Sequence, residues 1–138
     1  MRIRGTVKGI ATIGACLICG AFAYALTRSP VFDGDGYELY AGTSSAAVIV
    51  TDSPAILKLT LPAAGESARW EGDLAAELLA RFEAKVLFCE EVCGIRNYYC
   101  HSPQLGEGVL LNGVRVNLHI ATNGDRTAAG TPIIFGGF

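Results

Sequence analysis

Three cysteines and two histidines are the residues whose types and spacing could do chemistry. Cys89, Cys93 and Cys100, with His101 adjacent, form the pattern C-x3-C-x6-C-H. Thiolates and an imidazole are the donors of a structural zinc site, which pairs its ligands two to four residues apart at both ends. Neighbouring residues of a strand point to opposite faces, so Cys100 and His101 do not readily share one ion. The preferred reading therefore has no metal, and a Cys-based metal-binding module stands as an alternative. The same thiols also read as small buried hydrophobes. A disulfide between Cys89 and Cys100, on candidate neighbouring strands, is a further reading for a domain in an oxidising compartment. A nucleophilic cysteine needs a base beside it, and neither histidine can be placed against Cys93.

A second polar set lies on one strand. In Val114–Ala121, Arg115, Asn117 and His119 alternate with Val116, Leu118 and Ile120. His101 would sit on a strand nearby. Arg115, Asn117, His119 and His101 together are the candidate binding surface, for a small ligand or a hydrolytic reaction. The solvated face of an ordinary antiparallel sheet gives the same pattern. The chain carries no nucleophile elbow, Walker loop, HExxH or GxGxxG, so no catalytic residue and no cofactor are assigned. Asp33-Gly34-Asp35-Gly36 lacks the further oxygen ligands of a calcium loop and reads as a turn.

The elements that must position these residues follow from the patterning. Tyr37–Tyr40 and Ala46–Thr51 read as extended. Ala55–Leu61, with Leu57, Leu59 and Leu61 alternating with Lys58 and Thr60, reads as a half-buried strand. Ser67 then caps a helix running to Arg81, with Trp70, Leu74, Leu78 and Phe82 as its apolar stripe. Lys85–Glu90 and Ile95–His101 are strands joined near Cys93-Gly94. Gly106–Leu111 leads into Asn112-Gly113, a two-residue hairpin signal. Asn123-Gly124 turns the chain again into Arg126–Phe135. The fold class expected is α+β, an antiparallel sheet with one main helix packed on one face.

The leader decides where this domain works. Gly9–Leu26 contains no charged residue. As a helix it would span about 27 Å, close to the hydrocarbon thickness of a bilayer. Arg2, Arg4 and Lys8 precede it, and all thirteen acidic residues follow it. From Ser29 onward seven basic residues face thirteen acidic ones, a balance of −6. The positive-inside rule then puts the N-terminus in the cytoplasm and the large part outside. A domain with no basic cluster is not a nucleic-acid binder. The organisation expected is a basic flank and transmembrane anchor over 1–28, a spacer over 29–36 and an extracytoplasmic domain over 37–138. Two other fates compete for the leader. Ala23-Tyr24-Ala25 has the form of a signal-peptide cleavage site, which would make the protein secreted. Cys16 sits in a loose lipobox-like context.

Three segments carry a resemblance: Tyr98-Tyr99-Cys100-His101-Ser102-Pro103, Val116-Asn117-Leu118-His119-Ile120-Ala121 and Gly130-Thr131-Pro132-Ile133-Ile134-Phe135. The C-terminal third resembles the tail of the YwmB-like proteins of Firmicutes, which are envelope-associated and have no assigned biochemical role. The resemblance implies an envelope setting, a link to sporulation and a helix on a curved antiparallel sheet, and it transfers no catalytic residue. The expected function is that of a non-enzymatic, membrane-anchored protein-interaction module, held in the membrane by residues 9–26.

Overall fold

A computed structural model describes residues 2–41, 48–60, 63–135 and 138. It places, in chain order, α1 (Arg2–Thr27), β1 (Asp35–Tyr40), β2 (Val48–Thr51), α2 (Pro54–Thr60), β3 (Gly65–Glu71) and α3 (Ala75–Arg81). Then come β4 (Lys85–Val92), β5 (Ile95–His101), β6 (Val109–Leu111), β7 (Val114–Val116), β8 (Leu118–Thr122) and β9 (Arg126–Thr131). The fold is α+β. Seven strands form one antiparallel sheet in the order β2-β1-β3-β9-β8-β5-β4, and β6-β7 is a separate two-stranded ribbon.

α1 stands apart from this sheet. Its segment Arg4–Tyr24 is long and apolar enough to cross a membrane. Val7, Ile10, Ile13, Leu17, Ile18 and Phe22 are all exposed. A core helix buries such side chains, whereas one that is apolar all round needs an apolar environment.

One face of the sheet carries the core. Leu39, Ala68, Ala129, Ile120, Leu118 and Cys100 are buried together with Ala75 and Leu78 of α3 and Phe82 just after it. Phe32 enters between them, its ring edge-on to Trp70 at 5.8 Å and to Phe82 at 5.6 Å. Residues 29–36 are therefore part of the fold, not the spacer expected. Asp33 accepts hydrogen bonds from Arg81 Nη1 at 2.8 Å and Trp70 Nε1 at 3.3 Å. Gly34 is needed here, since a Cβ would stand 2.6 Å from the Trp70 ring and the Arg69 carbonyl.

The opposite face is covered by the C-terminal tail. Pro132 cannot donate to a ladder, and the strand expected to reach Phe135 ends at Thr131. The tail folds back so closely that a Cβ on Gly130 would stand 2.6 Å from Ile133 O. Phe135 stacks on Tyr40 at 4.0 Å, and the Phe138 ring lies 5.7 Å from the Arg126 guanidinium. Ser67, Ala121 and Ala128 are buried on this side.

Both short helices differ from expectation. Residues 54–60 form a helix, not a strand, and Leu61 lies outside the described residues, as do 46 and 47 of the expected strand Ala46–Thr51. Pro54 suits a first helical position, and Leu57 N–H donates to Ser53 O at 3.2 Å. The alternation misleads because Lys58 turns inward beside Leu57, leaving Ile56 and Leu59 exposed. The helix expected over 67–81 is shorter, since Ser67–Glu71 belongs to β3. Gly72 at φ +83° breaks the chain between them. Thr127 Oγ1 then pins the turn, donating to Gly72 O at 2.7 Å and accepting from Leu74 N–H at 3.0 Å. Trp70 joins the same apolar stripe from the strand.

A buried polar cluster ties these parts together. Lys58 Nζ forms an ion pair with Glu66 and donates to Ser29 O at 2.8 Å. Tyr37 Oη donates to Glu66 Oε1, which also accepts from Val31 N–H. Arg28 Nε donates to Lys58 O at 2.5 Å, and Tyr24 Oη donates to Leu59 O at 3.3 Å. Burial and the adjacent Glu66 carboxylate hold the Tyr37 phenol far above its usual range. Removing one member of a buried pair strands the other. Lys58→Met is expected to lower stability by about 3 kcal/mol in denaturant titrations. Adding Glu66→Gln should recover part of that loss, because Gln still accepts from Tyr37 and Val31.

Candidate functional site

The four residues of the candidate surface do not meet in one place. Arg115 lies on β7, across from Leu110, and is exposed. His101 ends β5 across from Lys85 and is exposed. Asn117 and His119 are buried.

Asn117 marks the point where the expected strand Val114–Ala121 divides into β7 and β8. Its Oδ1 accepts from Ser102 N–H at 2.7 Å. Its Nδ2 donates to Ser102 O and to Gly106 O, both at 2.8 Å. Ser102 Oγ in turn donates to Phe82 O at 2.6 Å and accepts from Gln104 N–H at 3.1 Å. The carboxamide thus does the work of a missing ladder, holding the loop after β5 to the sheet. Its hydrogen-bonding capacity is spent on the backbone.

His119 occupies the tail-covered face. Its ring stacks on Tyr99 at 4.5 Å, and Tyr99 stacks on Phe88 at 4.5 Å, so three rings ladder across β8, β5 and β4. Ile134 N–H donates to His119 Nδ1 at 3.2 Å. The proton of the neutral ring is therefore assigned to Nε2, which donates to Asn97 Oδ1 at 2.8 Å. Burial pushes this imidazole down to about 4. Both nitrogens are engaged and the ring is neutral at pH 7, an arrangement that fastens the tail and offers no free base. Burial, with the Glu90 carboxylate nearby, also raises the Tyr99 phenol.

Cys16, Cys19, Cys89, Cys93 and Cys100 are all free. The considered Cys89–Cys100 bridge is not formed, and the register gives the reason. Cys89 lies across from Tyr98 and Cys100 across from Val86. Such diagonal neighbours stand roughly 7–8 Å apart, beyond the reach of an unstrained disulfide. Cys100 is fully buried and its thiol is pushed up to about 12. Cys93, at φ +52°, makes the β4–β5 turn with Gly94. Among the described residues no three His, Cys, Asp or Glu side chains gather where they could hold a metal ion.

A cleft of about 360 Å³ lies between Ala63–Glu66, Gly106–Val109 and Thr131-Pro132. Its walls are mostly small side chains and backbone. Of its two carboxylates, Glu66 is already committed to Lys58 and Tyr37. The Lys58–Glu66–Tyr37 cluster is what sequence reasoning missed. Its members stand 21 and 8 residues apart along the chain, and no local pattern marks them as partners. Compared with protein-family models, curated proteins and solved structures, the chain matches none.

Three measurements follow from this geometry. The folded pKa of His119 lies below that of an unfolded histidine, so between about pH 6.5 and pH 4 the unfolded chain binds the extra proton. Stability then rises with pH through that window, and its loss on acidification amounts to about 3 kcal/mol. A histidine NMR titration giving His119 a midpoint near 6.5 would contradict this. Asn117→Ala leaves the buried Ser102 N–H without its acceptor and removes a donor from Ser102 O and from Gly106 O, and it is expected to cost about 3 kcal/mol in denaturant titrations. Arg115→Ala and His101→Ala should each stay within about 0.5 kcal/mol of the parent.

Proposed function

We propose that this protein is a single-pass membrane protein with its N-terminus in the cytoplasm. Its extracytoplasmic α+β domain binds another protein in the cell envelope and performs no chemistry of its own. The observation that carries this reading is the exposed apolar α1 joined directly to the domain through Arg28 and Ser29. The direction rests on three basic residues, Arg2, Arg4 and Lys8, before the apolar run against one, Arg28, closely following it. The YwmB-like resemblance supports an envelope setting and a place in sporulation. A non-catalytic role is supported by Asn117 and His119, whose polar atoms are spent on the protein's own backbone and side chains.

The edges of the sheet suggest where a partner would add. β4 is guarded by Lys85, Glu90, Glu91 and a bulge between Val86 and Phe88, devices that discourage pairing. β2 reads VIVT, without charge, and leaves Ile49 and Val50 exposed. An extended segment could add to β2 by strand pairing. A photo-crosslinking residue at Val50 of the full chain in native membranes should give one discrete protein adduct. The same residue at Val92 should not. Equal adducts at both positions, or lipid alone at Val50, would remove the interaction reading. Protease added outside intact cells should cut the domain, and complete protection would reverse the orientation.

A further inference from the structure

α2 is a short helix whose apolar face has no cover among the described residues. Ile56 is 67% exposed and Leu59 42% exposed. Three residues apart on a helix, they share one face. α2 reads PAILKLT, and its single charge, Lys58, is turned inward to Glu66. The exposed face therefore carries no charge.

Its place relative to α1 says what covers it. The candidate span ends at Tyr24, and Tyr24 Oη donates to Leu59 O. Tyrosine at the end of a span sits at the headgroup level of a bilayer. The last turn of α2 is thus tied to the residue that marks that level. The ends of helices ordinarily need water for their orphan carbonyls. Here Lys58 O and Leu59 O accept from Arg28 and Tyr24 instead, so these two carbonyls keep their partners when this end approaches lipid.

We propose that Ile56 and Leu59 seat in the interfacial layer of the bilayer that holds α1, so that α2 is a second membrane contact. This rests on reading α1 as a retained span. Apolar faces of interfacial helices sink roughly 5–10 Å into the headgroup and acyl boundary, a depth two such side chains can reach. The occupant is the lipid surface.

The full chain in phosphatidylcholine vesicles tests this. Trp70 is the sole tryptophan, so Ile56→Trp, Leu59→Trp and Val92→Trp each add one reporter at an exposed site. Val92 ends β4, at the sheet edge opposite β2. With lipids spin-labelled high on the acyl chain, the added emission at 56 and 59 should be quenched roughly twofold more than that at 92. It should also be blue-shifted. Equal quenching at all three sites, with the chain resisting alkaline carbonate extraction, overturns the α2 contact alone. Release of the chain by carbonate overturns both the retained span and the contact. Capture of a protein rather than lipid by a photo-crosslinker at 56 also overturns it.

Discussion

The ion pair between Lys58 and Glu66 is the constraint on which the arrangement of this domain depends. A buried charge must be paired or it will not stay buried. Satisfying these two recruits groups from four parts of the chain. Tyr37 brings β1, Lys58 brings α2, Glu66 brings β3, and Ser29 and Val31 bring the segment after α1. A pair of hydrophobic residues would fill the space without dictating which segments meet. The ionic pair with its hydrogen bonds ties these segments to one another.

The sheet is held from both sides by different means. Toward α3 the packing is that of an ordinary core, built on Leu78, Phe82 and the ring of Phe32. On the other side the strands offer small residues, Ser67, Ala128, Ala121 and Gly130, and the tail lies down on them. His119 is at the centre of that second layer, where its ring bonds the tail on one side and stacks on Tyr99 on the other.

The parts of the fold that depend on local chemistry were legible from the residues alone. Asn112-Gly113 turns the β6–β7 ribbon with both residues at positive φ, and Cys93-Gly94 turns β4 into β5. The strand expected over 95–101 forms with those bounds, and the one expected over 85–90 runs two residues further, to Val92. What could not be read depends on distant partners. Lys58 looks solvent-facing until Glu66 is placed beside it. Ser67 looks like a helix cap until Gly72 and Thr127 set the true break. Asn117 fits an unbroken alternation, and only the loop carrying Ser102 and Gly106 makes it the point of division. The polar stripe of Arg115, Asn117 and His119 was legible as a pattern, but its faces are assigned by tertiary contacts. One residue is outside, one is a latch and one is under the tail.

The junction after α1 has a mechanical side. Residues 28–32 are bonded or packed into the domain, so no slack separates helix from sheet. A flexible linker lets a tethered domain search a volume that grows with its length. With none, a bilayer-held domain has a fixed height and a fixed tilt. If the proposed span is retained, the reach of the domain above the lipid is its own diameter, and a partner would have to come down to that layer.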